Sequence, residues 1–147
     1  MAIRDIVKVG DPILRKKCRD VTDYNAKLWT LLDDMRQTMH AANGCGLAAP
    51  QIGLLRRIAI VEVDDLYLEL INADIIDHGG SQTGTEGCLS VPGRWEEVTR
   101  PYWVKVRYYD RNGVLHTQKF KDFPAKAICH ELDHLVGTLF IDRVEDK

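Results

Sequence analysis

The sequence lacks an apolar run long enough to cross a bilayer, and its first residues, Met1 to Asp5, have no signal-peptide pattern. It also lacks an excess of basic residues: 20 Lys and Arg stand against 22 Asp and Glu, for a net charge of -2. This scattered, balanced charge argues against nucleic acid or an acidic membrane as the main partner. We expect a cytoplasmic protein in which residues 1–147 form a single domain with one adequate core.

Cysteine is scarce, with four residues: Cys18, Cys45, Cys88 and Cys129. A domain of this size without a secretion signal is expected to keep its thiols reduced, so each thiol could bind a metal or act in catalysis. Cys18 lies in a basic stretch and is predicted to be incidental. Cys129 is predicted to be a core residue, because a helix would turn it about 100° away from the neighbouring His130.

A His-Glu-x-x-His pattern lies in the stretch from Ala127 to Gly137. Pro124 can occupy the first turn of a helix and Gly137 can end it, so His130 and His134 would lie one turn apart on one face, as two ligands of one metal require. Apolar residues cover much of the remaining surface, which predicts a helix inside the domain. Unpaired polar groups there would cost roughly 1–3 kcal/mol each, which favours a bound metal over a chance match on a solvated helix.

The sequence lacks the downstream third ligand that many zinc peptidases with this helix use. The position of the third metzincin histidine is Phe140, and the glutamate of other zinc peptidases lies much further along than the late carboxylate Glu145. The third ligand must therefore lie upstream. Cys88, in a short loop-like stretch beside a glycine, is the best candidate, with Glu86 and His78 as competitors and a buried structural thiol as the alternative interpretation of Cys88.

Periodic patterns predict one long helix and several strands. The helix has apolar residues at helical spacing, with Thr22 or Asp23 as its cap and Asn43-Gly44 as its stop: Tyr24, Leu28, Leu31, Leu32, Met35 and Met39. Strands are predicted at 57–63, 66–71, 104–109 and 114–120, the last two joined by a hairpin turn at Asn112-Gly113. The polar segment that begins at 78–81 is predicted to be a loop with His78 exposed. His40 and His116 are predicted to have no functional role.

The stretch from Gly44 to Gln51 has an unusual composition. Gly44 and Gly46 bracket Cys45, and small apolar residues and a proline follow. This suits a backbone that passes close to something, such as an extended substrate. A plain glycine turn after a helix is the alternative.

Three stretches, Gly44 to Gln51, Glu86 to Ser90 and His130 to His134, resemble in order and spacing the three signature motifs of the peptide deformylase family. The resemblance covers essentially the whole domain. It implies an α+β fold, with antiparallel β-sheets packed around a central helix that carries the HExxH motif and with a long N-terminal amphipathic helix. It also implies a hydrolase that removes the formyl group from the N-terminal formylmethionine of newly made proteins and releases formate. Its partners would be N-formylmethionyl nascent peptides near the ribosome.

The resemblance implies one divalent metal held by Cys88, His130 and His134. Such a site leaves a fourth position for a water whose pKa the metal lowers. The family favours Fe²⁺, which Zn²⁺, Ni²⁺ or Co²⁺ could replace; one thiolate and two imidazoles alone suit zinc equally well.

The resemblance also assigns roles around the metal. Glu131 would be the general acid and base, and the Gln51 amide and the Leu89 N–H would stabilise the oxyanion. An extended peptide would lie along Gly44, Cys45 and Gly46.

Two departures from the family pattern concern side chains near this site. Cys45 stands where a branched aliphatic residue is common, which adds a thiol that could sensitise the site to oxidation. Trp95 stands where some members have a basic residue, so no carboxylate clamp is predicted there.

Two other classes of protein fit parts of the pattern. A zinc endopeptidase is disfavoured by the missing downstream ligand. A metal-stabilised or thiol-redox domain is disfavoured by Glu131 and Gln51, because a structural metal site needs neither.

Overall fold

Two antiparallel sheets and two helices make up the computed structural model, which describes residues 2–144. The late carboxylate Glu145 lies outside these residues. The helices are α1 (Ala26–Ala41) and α2 (Phe123–His134). The strands are β1 (Gly46–Ala48), β2 (Ile58–Val63), β3 (Leu66–Gly79), β4 (Gln82–Cys88), β5 (Val91–Arg100), β6 (Trp103–Tyr109) and β7 (Leu115–Lys121). Short 3₁₀ turns cover Pro12–Arg15, Ala49–Ile52 and Phe140–Arg143.

The larger sheet has five strands in the order β1-β2-β3-β6-β7, and β4 and β5 form a separate hairpin. Every paired strand is antiparallel. The helix α2 packs against β1, β2 and β7, and its Ala125, Ala127 and Ile128 join the core of the larger sheet. This arrangement confirms the predicted α+β class with antiparallel sheets around the HExxH helix.

The helix α2 begins and ends where its sequence predicts. Asp122 precedes it with a positive φ of 62°, and Pro124 lies in the first turn, where its missing N–H costs nothing. Gly137 follows the helix with φ 77°, and a Cβ there would collide with the carbonyl of Arg15. Glycine is therefore required at this position for both conformation and space.

The helix α1 packs its predicted apolar stripe into the core. Leu28, Leu32, Met35 and Met39 are buried against the inner face of β2 and the start of the glycine-rich motif. The cap is Asn25, whose side chain accepts a hydrogen bond from the N–H of Leu28. The predicted caps Thr22 and Asp23 were therefore wrong.

The predicted loop that begins at 78–81 is confirmed only at Gly80 and Ser81, and His78 is exposed as predicted. The strand β3 continues through His78 to Gly79, and the second half of β3 faces solvent. Two register shifts interrupt its pairing with β6. Residues 82–100 form the β4-β5 hairpin, with only Leu89 and Ser90 between the strands. These strands were missed because most of their side chains are polar or exposed, so they lack the apolar alternation that marks a strand.

None of the helices among residues 2–144 has both the length and the apolar character needed to span a membrane.

Candidate metal centre and active site

The three sequence motifs meet at one cleft with a volume of about 490 Å³. One wall is the segment from Ala42 to Gly46, and the opposite wall is the hairpin from Thr85 to Trp95. His130 and Glu131 of α2 close the inner end. The cleft therefore joins a glycine-rich strand, a hairpin and a buried helix, which lie far apart in sequence.

Three potential metal ligands lie together at the inner end of this cleft. The ligand atoms of Cys88, His130 and His134 all lie within 4.8 Å of one another. The Sγ of Cys88 is 3.4 Å from Nε2 of His134. Ligand atoms around a tetrahedral metal lie roughly 3.5 Å apart, given bonds of about 2.0–2.3 Å. The donor set and its spacing therefore fit a single divalent metal.

Glu86 orients one of these histidines. The Nδ1 of His130 donates to Oε1 of Glu86 at 2.9 Å, which leaves Nε2 as the nitrogen free for a metal. Burial alone would raise the pKa of Glu86, but hydrogen bonds from His130 and Arg100 hold that pKa at about 2. The carboxylate is therefore charged at neutral pH. Glu86, weighed above as a possible ligand, supports a ligand instead.

Arg100 continues this network away from the cleft. Its guanidinium donates to both carboxylate oxygens of Glu86, at 3.0 and 2.9 Å, and to Asp133 at 2.6 Å. Asp133 also accepts two hydrogen bonds from Arg143. The side chains of Arg100 and Glu86 are almost completely buried, so both charges depend on this pairing.

The two histidines differ in the direction of their pKa shifts. Burial lowers the pKa of His134 to about 3, and the charges of His130 and Arg100 act in the same direction, so this imidazole is neutral and able to bind a metal. Burial also lowers the pKa of His130, but the nearby Glu131, Cys88 and Glu86 outweigh it and raise that pKa above its usual value. The charged carboxylate of Glu86 beside His130 favours a positive charge at this point, whether a proton or a metal ion.

Glu131 is a buried carboxylate beside this cluster. It is 5 % exposed, its Oε2 lies 3.9 Å from Nε2 of His130, and its Oε1 has no hydrogen-bond partner among residues 2–144. Burial raises the pKa of Glu131 to about 7, although the charge of His130 opposes this rise. A bound cation would lower that pKa again. A carboxylate with a free oxygen at the inner end of a cleft can accept and return a proton.

Gln51 and Ser90 lie on the other side of Cys88. The N–H of Ala48 donates to Oε1 of Gln51 at 2.9 Å, which identifies the amide oxygen. The Nε2 of Gln51 therefore faces the cleft, 3.1 Å from Oγ of Ser90 and 3.5 Å from Sγ of Cys88. Leu89 follows Cys88 at the hairpin turn and lines the cleft. The amide nitrogen of Gln51 and the segment of Leu89 thus adjoin the thiol from two sides.

Steric crowding explains why glycine occupies two positions of the first motif. A Cβ on Gly46 would overlap the carboxylate of Glu131, and a Cβ on Gly44 would lie 2.8 Å from Cδ1 of Leu89. A side chain at either position would therefore displace a group that lines the cleft. Cys45, between them, is exposed and also lines the cleft.

The remaining histidines and cysteines singled out in the sequence lie elsewhere. His40 bonds to Glu62, His116 bonds to Asp110, and His78 is exposed on β3. Cys129 is buried in the core, and Cys18 is half-buried near Leu135. The competing ligand His78 therefore takes no part in the metal cluster.

Sequence reasoning missed three residues near the site: Arg100, Ser90 and Lys126. Arg100 belongs to no local sequence motif, because its partners Glu86 and Asp133 lie 14 and 33 residues away in the sequence. Ser90 lay inside a motif but had no role assigned. Trp95, to which no clamp was assigned, is 70 % exposed at the rim of the cleft, with its ring over Gly87.

The fold and the site together define a class of protein: an α+β domain with a candidate single-metal centre of the HExxH type at the inner end of an open cleft. The family model described as polypeptide deformylase matches residues 3–147, and the chain belongs to this family. The family consists of metal-dependent hydrolases that remove the N-formyl group from nascent peptides. This confirms the family and the reaction that the three motifs predicted.

Individual relatives agree with this assignment. The chain is 52 % identical over 144 residues to the peptide deformylase of Caldanaerobacter subterraneus subsp. tengcongensis, covering 98 % of this chain and 91 % of that one. The crystal structure of the peptide deformylase from Thermotoga maritima has a TM-score of 0.96 and 34 % identity, covering 98 % and 99 % of the two chains. A class I type b peptide deformylase from Acinetobacter baumannii with Met-Ala-Ser bound has a TM-score of 0.92 and 33 % identity, covering 97 % and 98 %.

Proposed function

We propose that this chain removes the formyl group from N-terminal formylmethionine at the cleft between the glycine-rich segment and the β4-β5 hairpin. Cys88, His130 and His134 hold one divalent metal. The observation that carries the proposal is the approach of these three ligand atoms to within 4.8 Å of one another beside the buried carboxylate of Glu131. A purely structural metal site would not need a free carboxylate at the inner end of an open cleft.

The metal supplies one kind of chemistry. A divalent ion on these three ligands would lower the pKa of a bound water and polarise the formyl carbonyl. The native ion is proposed to be Fe²⁺, with Ni²⁺, Co²⁺ or Zn²⁺ able to replace it.

Glu131 moves the protons of the reaction. Its carboxylate takes a proton from the attacking water and gives it to the nitrogen of methionine as formate leaves. Gly46 leaves room for this carboxylate at the inner end of the cleft. Both steps need a group that is ionised before attack and protonated after it, as a carboxylate in a partly apolar site can be.

Gln51 and Leu89 stabilise the negative charge that develops on the formyl oxygen. One hydrogen of the Gln51 amide reaches Ser90, and the other points toward the side of Cys88, where the reacting carbonyl would lie. The backbone N–H of Leu89 is the second donor. Each would be worth roughly 3–4 kcal/mol of transition-state stabilisation.

The substrate is an extended peptide along Gly44, Cys45 and Gly46. The bound Met-Ala-Ser of the Acinetobacter baumannii relative supports a peptide ligand for this cleft. The physiological substrates are proposed to be nascent N-formylmethionyl chains near the ribosome in the cytoplasm, acted on by residues 1–147 as a single domain.

Two assays run side by side test this proposal. Formate release is measured from a formyl-Met peptide, and cleavage of an internal bond is measured on an unformylated peptide of the same length. Formate release without internal cleavage is expected. Internal cleavage with no formate would indicate an endopeptidase, and neither activity in metal-loaded protein would indicate a non-catalytic metal site.

A further inference from the structure

Lys126 places a cation on the wall of the cleft. It lies on α2 one turn before His130 and so projects from the same side of the helix. Its Nζ donates to the carbonyl of Thr85 at 2.9 Å and lies 5.5 Å from the ring centroid of Phe123. The ammonium is therefore held between the edge of β4 and an aromatic ring.

The charge of Lys126 is not neutralised by a carboxylate of the described chain. Two other charged groups of the cleft have ionic partners, Glu86 with Arg100 and Arg94 with Glu96 at 2.8 Å, and Glu131 lies at the inner end beside His130. Within residues 2–144 no carboxylate oxygen lies within 4.0 Å of Nζ of Lys126. The cleft thus presents one cation whose protein partners are a carbonyl and a ring.

Gly84 and Cys45 are two neighbours of this ammonium. A Cβ on Gly84 would lie 3.1 Å from Nζ, so a side chain there would crowd the ammonium. On the opposite wall, burial and the charge of Glu131 raise the pKa of Cys45, while Lys126 opposes that rise. A substrate between the two walls would therefore lie in the field of Lys126.

We propose that Lys126 is a specificity-determining residue that makes the cleft favour N-formylmethionyl peptides with an acidic side chain at one of the two residues after methionine. The inference rests on the proposed function. A helix rises 1.5 Å per residue, so Lys126 lies about 6 Å along the axis from His130, and an extended peptide advances about 3.3 Å per residue. Lys126 and the proposed peptide site along Gly44, Cys45 and Gly46 line the same cleft, so a peptide that leaves the metal ligands on the Lys126 side brings the side chains after the formylated residue toward the ammonium.

The test compares kcat/KM on four formylated tripeptides: formyl-Met-Ala-Ala, formyl-Met-Asp-Ala, formyl-Met-Ala-Asp and formyl-Met-Lys-Ala. All have amidated C-termini, because a free carboxylate would give each peptide an anion. The wild-type metalloenzyme is expected to prefer one of the aspartate peptides over the alanine peptide by roughly 3- to 10-fold, and to disfavour the lysine peptide. The preference should shrink as salt is added.

The variant Lys126→Met should bring the ratio of kcat/KM between the aspartate peptides and the alanine peptide to about one, whatever its rate on formyl-Met-Ala-Ala, and Lys126→Glu should shift the preference toward the lysine peptide. Lys119→Met is the matched control, because Lys119 lies over the ring of Trp103 and does not line the cleft. It changes net charge equally and should leave the preference intact. If Lys126→Met is poorly folded, Lys126→Gln, which can still donate to Thr85, serves in its place.

A second readout does not depend on turnover. Dissociation constants of the deformylated peptides Met-Asp-Ala-amide, Met-Ala-Asp-amide and Met-Ala-Ala-amide, measured by calorimetry, should show the same preference in the wild type and none in Lys126→Met. An equal preference in both proteins would overturn the proposal. An equal loss of affinity or kcat/KM for all peptides in Lys126→Met would also overturn it, because Lys126 would then only stabilise the packing of α2 against β4. Failure of the proposed function is distinguishable, because formyl-Met-Ala-Ala would then release no formate with any variant.

Discussion

The carboxylate of Glu86 accepts a hydrogen bond from Nδ1 of His130 at 2.9 Å and directs the other ring nitrogen toward Cys88 and His134. Removing the charge of Glu86 while keeping its shape should loosen this orientation. Glu86→Gln is therefore expected to weaken metal affinity by about 10- to 100-fold, as other changes to groups that orient metal-bound histidines do. Competition with a chelator measures the affinity. Glu97→Gln, on the exposed side of the same hairpin, is the control, and equal affinity in the two variants would contradict the role of Glu86.

Glu131 is expected to act in proton transfer and not in metal binding. Glu131→Gln keeps the size of the buried side chain, so the fold and the metal content should be retained. The rate of formate release should fall by about 100- to 10,000-fold, or more if the residue serves both proton transfers. Single-turnover kinetics on metal-counted protein give the comparison. Near-normal turnover would remove Glu131 from the mechanism.

An iron-loaded enzyme is expected to lose activity in air. An open coordination position also admits dioxygen, and a thiolate beside oxidised iron can itself be oxidised. Cys45 adds a second thiol in the cleft. Nickel and zinc forms should survive air, because neither ion is readily oxidised there.

The experiment reloads the apoprotein with each metal and follows formate release over time in air and under argon. An iron form with equal lifetimes in both atmospheres would refute the oxygen sensitivity. A zinc form as active as the iron form would remove the reason to prefer iron.

Glu62 should make stability depend on pH in the acid range. Hydrogen bonds from Arg36 and His40 lower the pKa of Glu62 to about 2, below its ordinary value near 4.5. The lowered pKa means that the charged carboxylate stabilises the fold above about pH 4.5 and that this contribution is lost as pH falls toward 2. Glu62→Gln should lower the free energy of unfolding at pH 7 by on the order of 1 kcal/mol.

Urea unfolding of the wild type and Glu62→Gln between pH 7 and pH 2 provides the measurement. The difference between the two proteins should shrink below pH 4.5, while Glu97→Gln, an exposed carboxylate outside this cluster, should track the wild type throughout. A difference between wild type and Glu62→Gln that persists unchanged to pH 2 would rule out the ion pairs as its source.

The sequence allowed prediction of those features of the site that arise locally. His130 and His134 are separated by one helical turn, so a helix alone brings them to one face, and Pro124 and Gly137 mark that helix. The helix α1 and the strand β6 followed from apolar periodicity, β2 from its β-branched and aliphatic residues, and β7 from the hairpin turn at Asn112-Gly113. The family motifs then selected Cys88 over Glu86 and His78, a choice that composition alone left open.

The features that escaped prediction depend on contacts between distant residues. The role of Glu86 depends on His130, 44 positions away, and on Arg100, which no local pattern distinguishes from a surface arginine. The β4-β5 hairpin was missed because its alternating residues are mostly polar and its faces are largely exposed. The charge of Lys126 within the cleft became visible only once α2 and β4 were seen side by side.

We propose that one metal, held through Cys88, is what makes this chain release formate. The most direct test titrates iron(II) under argon into the apoproteins of the wild type, Cys88→Ala and Cys129→Ala, and follows formate release from a formyl-Met peptide. Activity of the wild type and of Cys129→Ala should rise with metal and level off at about one equivalent per chain, while Cys88→Ala should bind little metal and stay inactive. Full activity of the metal-free wild type, or loss of metal binding in Cys129→Ala but not in Cys88→Ala, would contradict the account.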